Sequence, residues 1–171
     1  MANTYTLIEA KTLGSAVSSV TFSSIPQTYT DLKLVYSARN SGSADPWYQV
    51  LIQFNSDTTA ANYPYRYLYN ASGTPGGGSG NQAIGYSVSD AATANTFSNG
   101  EIYIPNYTNT SNYKSTSGDV VNENNSATNI MALYATSWTG TAAAITSLIL
   151  SQSANNFVAN STFYLYGIKN S

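Results

Sequence analysis

Histidine and cysteine are both absent from this 171-residue chain, and Lys, Arg, Asp and Glu together make up only 8% of it. Without imidazole there is no Ser-His-Asp triad, no imidazole general base and no His-ligated zinc. Without thiols there is no disulfide scaffold and no thiolate site. Ordinary domains carry about 25% charged residues, whereas the cations here (Lys11, Lys33, Arg39, Arg66, Lys114 and Lys169) are few and scattered. With a formal net charge of −2, the basic cluster that holds nucleic-acid phosphates is missing, and no nucleic-acid partner is expected. No apolar run approaches the ~18 residues of a membrane span. The opening MANTYTLIEAKTLG lacks the basic and apolar regions of a signal peptide, so no membrane partner is expected either.

What is present is apolar and aromatic. The chain is 42% hydrophobic and 13% aromatic, with 15 Tyr among abundant Ser, Thr and Asn. Disordered segments have the opposite profile, rich in charge and poor in aromatics. The length fits one domain spanning 1–171, and a globule of this size buries roughly 70% of the surface its unfolded chain exposes.

Period-two alternation recurs along the chain, and helical periodicity does not. In 4–13, Tyr5, Leu7 and Glu9 alternate with Thr6, Ile8 and Ala10; in 17–23, Val20 and Phe22 alternate with Thr21 and Ser23. Residues 31–39 place Leu32, Leu34, Tyr36 and Ala38 on one face, and 47–54 set Val50, Ile52 and Phe54 inward. Further strands are expected at 63–69, 82–89, 99–104, 129–138, 144–151 and 161–168. Ser/Gly/Asn/Pro clusters between them supply turn chemistry. About ten short strands at this spacing predict an all-β fold, an antiparallel β-sandwich of jelly-roll type. Residues 90–96 and 139–145 are the places with room for a short helical turn. The glycine-rich stretch Gly73–Gly80 is expected to be a long hairpin loop at the rim.

Remaining chemistry rests on carboxylates, Lys, Tyr and hydroxyls. A glycosidase needs two carboxylates facing each other about 5 to 9.5 Å apart. Of Glu9, Asp31, Asp45, Asp57, Asp90, Glu101, Asp119 and Glu123, the pair Asp119 and Glu123 is close in sequence, with Glu101 at a strand start. Eight scattered acids produce such pairs by chance, and no enzymatic activity is expected. Ser111-Asn-Tyr-Lys114 matches S-x-x-K, but lies in an Asn/Thr-rich loop and not at a helix start. The glycines at 76–80 lack the Lys-Ser/Thr of a phosphate-binding loop. Asn55 and Asp57 offer oxygens either to a calcium ion or to backbone N–H groups of a tight turn. The turn is the simpler account, and no cofactor is expected.

Tyr63, Tyr65, Tyr67 and Tyr69 share one face of a strand, with Arg66 and Leu68 on the other. An exposed row of this kind stacks on sugar rings; alternatively it packs across strands or against a neighbouring subunit. Trp47 carries the same two readings, and Trp138 closes a strand as a core residue.

Segments covering nearly the whole chain, in order, resemble a family of β-sandwich proteins of tailed bacteriophages, particularly those of aquatic bacteria. They are Val20–Tyr29, Asp31–Val35, Ile52–Asp57, Asn62–Arg66, Glu101–Tyr107, Glu123–Asn125, Ala144–Leu148, Asn156-Phe157 and Ser161–Ile168. The resemblance implies a virion structural protein, made in the host cytoplasm and located in the virion. A capsid decoration protein binding the major capsid protein is the first expectation. A tail-fibre or receptor-binding module recognising host glycan is the second. A homo-oligomer is implied in either case, a trimer being one symmetric arrangement. No catalytic pattern comes with the resemblance.

Overall fold

A computed structural model describes residues 4–125 and 129–169. The strands, in chain order, are β1 (Tyr5–Thr12), β2 (Ser19–Phe22), β3 (Asp31–Asn40), β4 (Trp47–Phe54), β5 (Pro64–Ala71) and β6 (Thr74–Asn81). They continue as β7 (Ala83–Ser89), β8 (Ser98–Ile104), β9 (Lys114–Asn122), β10 (Ile130–Trp138), β11 (Leu148–Gln152) and β12 (Thr162–Ile168). Among the described residues the helical element is a single 3-10 turn, Ala60–Asn62. Neither 90–96 nor 139–145 is helical, a correction to the sequence expectation.

Two sheets pack face to face. Sheet A runs β1-β12-β3-β8-β9-β10-β5-β6, and sheet B runs β2-β11-β4-β7. All pairings are antiparallel except one. The end of β3 meets β7 in parallel (Arg39 with Val88, Asn40 with Ser89) and joins the sheets at a corner. Set aside β5, β6, β9 and β10, and the remaining orders are 1-12-3-8 opposite 2-11-4-7. Consecutive strands of this set cross between the sheets everywhere but at β4–β7, an order compatible with the jelly roll expected from the sequence. The two hairpins β5–β6 and β9–β10 then widen sheet A, with β10 still packed against β7 through Tyr134 on Tyr86 and Thr136 on the Ala83 carbonyl.

The burial pattern follows the alternation read from the sequence. Leu32, Leu34, Tyr36 and Ala38 are buried, as are Val50, Ile52, Phe54, Val20 and Phe22. β8 alternates buried and exposed at every residue, and β10 does so over most of its length, because one face meets the core and the other meets water. Burying each large apolar side chain contributes about 1.5–3 kcal/mol, so the facing rows hold the sheets together. Trp138 is buried, stacking with Tyr63 at a centroid distance of 6.4 Å and tilting against Phe54 at 5.7 Å.

Polar groups fasten the loops. Arg39 is buried where the sheets join, and its guanidinium binds Asp90 Oδ1 at 2.9 Å and the carbonyls of Thr93 and Thr96. Those bonds shape 90–96 into a series of turns around a cation, in place of a helix.

The glycine-rich stretch is a strand, and not the rim loop expected from sequence. A two-residue turn, Ser72 (φ 51°) and Gly73 (φ 86°), reverses the chain, and β6 pairs with β5 from Ala71–Thr74 to Pro64–Asn81. Positive φ at both turn residues is the hairpin geometry that matches strand twist. Each inward glycine faces a tyrosine: Gly76 opposite Tyr69, Gly78 opposite Tyr67, Gly80 opposite Tyr65. The phenols approach the glycines so closely that an added Cβ would stand 2.6–2.8 Å from phenol atoms. Missing side chains on β6 thus make room for the large ones on β5.

Candidate functional surface

The tyrosines singled out from sequence face the interior of the sandwich. Tyr63 is 0% and Tyr65 6% exposed, while Tyr67 and Tyr69 are half-buried. Tyr63 Oη accepts from the Phe54 N–H at 2.8 Å and donates to the Asp57 carbonyl at 3.0 Å. Burial pushes its phenol up to about 12. Tyr65 Oη accepts from Gln49 Nε2 at 2.8 Å, which ties sheet A to β4. Tyr67 stacks on Tyr134 at 5.2 Å and on Tyr69 at 5.4 Å, and burial pushes its phenol up to about 12. Of the two readings open from the sequence, cross-strand packing describes Tyr63 and Tyr65, and neither ring presents a free face to a sugar. Trp47 opens β4 half-buried, packed against the core.

The other motifs resolve as structure. Asp119 lies on β9, and Glu123 lies just beyond its end. Four residues of extended chain span about 13 Å, too far for a hydrolytic carboxylate pair. The carboxylate directly opposite Asp119 is Glu101 on β8, and Glu101 is paired to Lys33 Nζ at 2.6 Å. Lys114 opens β9 and is buried; its amine donates to the carbonyls of Asn109 and Asn112 at 2.6 and 2.7 Å. Burial lowers its pKa. Ser111 is exposed in the preceding loop, with its backbone N–H on Asn109 Oδ1. Asp57 caps its own turn, whereas Asn55, against the sequence expectation, fastens the distant segment 144–147, its amide also donating to the Ala144 carbonyl at 2.7 Å. Asn55 Oδ1 accepts from the Thr146 N–H at 2.8 Å, and Asp57 Oδ1 accepts from the Thr59 N–H at 3.0 Å. Among the described residues no group of three or more acidic side chains is placed to hold a metal ion.

The feature that sequence reading missed lies on the outward face of sheet A. Strand register sets its side chains in rows across the sheet. One row runs Tyr164, Val35, Glu101, Asp119, Leu133, Leu68 and Gly77. The next runs Ser37, Asn99, Val121, Met131 and Asn70. Their overlap on β9, β10 and β5 is an apolar cluster open to solvent: Leu68 is 66% exposed, Leu133 60%, Met131 54% and Val121 48%. Asp119 lies beside it in the shallow depression formed by Val121, Met131 and Leu133. Toward β1 the surface becomes polar and aromatic, with Lys33, Glu101, Tyr103 and Tyr5 grouped together. Tyr103 Oη donates to Asp31 Oδ2 at 2.6 Å, and that carboxylate pushes the phenol up to about 12.

The sequence carried a partial signal of this cluster, since Leu68 shares a face with Arg66 opposite the tyrosines. Which face met water depended on the sheet packing.

No protein-family model, curated protein sequence or solved structure matches the chain.

Proposed function

We propose that this protein is a structural component of a bacteriophage virion that acts by surface contact and not by catalysis. In this reading it is a capsid decoration protein, docking on the major capsid protein through the outward face of sheet A. The observation that carries the reading is the solvent-open cluster of Leu68, Val121, Met131 and Leu133 on three adjacent strands. Contiguous apolar patches on soluble proteins mark contact sites. A flat sheet face suits a broad partner surface better than a small ligand, which takes a concave site. The ordered resemblance to phage β-sandwich proteins supplies the identity of the partner. Of the stacking platforms the tail-fibre alternative would use, Tyr63 and Tyr65 are inside and Tyr67 and Trp47 are half-buried, which favours the decoration reading.

The test is localisation combined with a surface variant. Cryo-electron microscopy of the virion is expected to place the protein on the head shell, with sheet A facing the capsid. Leu133→Lys is expected to abolish addition of purified protein to capsids that lack it. Density at the tail tip, or undiminished capsid binding by the variant, overturns the reading.

A further inference from the structure

The free edge of β6 is a second contact surface, independent of the apolar cluster. Sheet A has two edges among the described residues, and they are built differently. β1 is guarded: it carries the charges Glu9 and Lys11 and a bulge between Leu7 and Glu9. Charges and bulges of this kind prevent strand addition. In sheet B the edge strand β2 has four residues, too few to template much pairing. β6 has eight residues, carries no charge and pairs with β5 without interruption.

Turn geometry fixes which backbone groups of β6 face outward. In a two-residue hairpin, the residues flanking the turn, here Ala71 and Thr74, form a hydrogen-bonded pair, and bonded pairs then alternate along the strands. Gly76, Gly78 and Gly80 therefore bond to β5. Pro75, Gly77, Ser79 and Asn81 direct their backbone groups away from it. Both prolines of the hairpin, Pro64 and Pro75, fall at non-bonded positions, where a missing N–H costs the hairpin nothing. Gly77 and Ser79 make no other backbone hydrogen bond among the described residues.

The geometry points to a second copy of this chain as the occupant, pairing β6 with β6 in antiparallel fashion about a two-fold axis. Strand addition gains selectivity from pockets that receive alternate side chains, and a run of glycines offers no such pockets. A foreign strand with ordinary side chains is not selected here, whereas an equally bare, uncharged strand approaches closely. Centring the axis on Gly78 lets Gly77 and Ser79 of one copy exchange both backbone bonds with Ser79 and Gly77 of the other. Asn81 then donates to the Pro75 carbonyl, which needs no N–H from the proline. At the centre Gly78 opposes Gly78, and the two Tyr67 rings, each lying over its own Gly78, close the inner side of the seam. Two copies of sheet A become one continuous sheet, with both apolar clusters on the same side.

Sedimentation of the purified protein across micromolar to sub-millimolar concentration tests this, together with amide exchange at β6. The expected result is a reversible dimer in which the Gly77 and Ser79 amides are protected. Ser79→Pro deletes an outward N–H without touching the β5 pairing, and it is expected to halve the mass and leave the circular dichroism unchanged. Ser79→Lys, which places like charges on both sides of the seam, is expected to do the same and decides the matter if the proline variant does not fold. A wild-type monomer throughout, a trimer, a dimer whose Gly77 and Ser79 amides exchange freely, or a dimer that survives Ser79→Lys overturns the inference. Capsid binding is not read in this assay, so it stands or falls apart from the decoration role.

Discussion

The indole N–H of Trp138 donates to Asp57 Oδ2 at 2.8 Å, linking the end of β10 to the turn after β4. The same oxygen accepts from Asn62 Nδ2 at 2.8 Å, and Asp57 Oδ1 caps the Thr59 N–H. Gly140 passes so close that an added Cβ would lie 2.3 Å from this carboxylate. Asp57 thus satisfies a buried indole and closes one end of the sandwich, which is why two acceptor oxygens are needed at this position.

Asp57→Ala leaves the indole N–H of buried Trp138 without its acceptor and is expected to cost about 1–3 kcal/mol, measured by denaturant unfolding. These bonds, the Trp138 indole foremost, hold the Asp57 carboxyl below its ordinary value of 3.8. Its folded pKa is therefore lower than its unfolded one. The stabilisation is complete above the unfolded value and is lost as pH falls through the folded value. A plot of Tm against pH is expected to drop more steeply below 3.8 for the wild type than for Asp57→Asn. Parallel curves would remove Asp57 from this role.

Two tyrosines of similar burial should respond in opposite ways to loss of the hydroxyl. Tyr63 Oη accepts from one backbone group and donates to another, so Tyr63→Phe is expected to destabilise by about 1–2 kcal/mol. Tyr134 Oη is buried with no well-formed hydrogen bond, its one polar side-chain interaction being with Tyr86, and desolvation foremost raises its phenol pKa well above the ordinary range. Removing an unsatisfied polar atom relieves a penalty. Tyr134→Phe is expected to match or exceed wild-type stability in the same unfolding experiment.

Three glycine-to-alanine substitutions form a graded series. At Gly14 nothing lies within 4 Å of the added Cβ, and the change is expected to be neutral. At Gly78 the Cβ meets the Tyr67 ring at 2.8 Å, and that ring is wedged between Tyr65, Tyr69 and Tyr134. At Gly100 it meets Tyr36 at 2.4 Å, and Tyr36 is fully buried. Overpacking typically costs about 1–3 kcal/mol, so the order of loss by thermal unfolding is expected to be Gly100, then Gly78, then Gly14.

Leucines on the two faces of sheet A carry different duties. Leu34 is 0% exposed, and Leu34→Ala is expected to cost about 2–5 kcal/mol through the cavity it leaves. Leu133 is 60% exposed, and Leu133→Lys is expected to stay within about 0.5 kcal/mol of wild type while raising solubility at high concentration. A large stability loss at Leu133 would show that the residue serves the fold.

Much of this molecule is written in its local pattern. Alternation in 31–39 and 47–54 marked the core rows, because a strand's side chains have period two and only one face escapes water. The lack of imidazole and thiol bounds the chemistry at the level of composition. β9 escaped notice because KSTSGDVVN is polar and interrupted by Gly118. There the glycine is required by a neighbour, since a Cβ would stand 2.4 Å from the Glu101 carbonyl oxygen. β6 escaped for the same reason in stronger form: glycine reads locally as a loop, and only the tyrosines lying across it show why a strand needs it.

By itself the sequence determined the class, the catalytic exclusions and the inward rows, all of which follow from composition and short-range periodicity. Only the tertiary structure decided that Tyr63 and Tyr65 turn inward, that Leu68 and Leu133 meet water, and that β6 ends a sheet. Periodicity tells which residues share a face, but the other sheet decides which face it covers. The open apolar residues of β5, β9 and β10 lie on the face of sheet A turned away from sheet B, while their inward neighbours Tyr65, Val120, Ala132 and Tyr134 are buried.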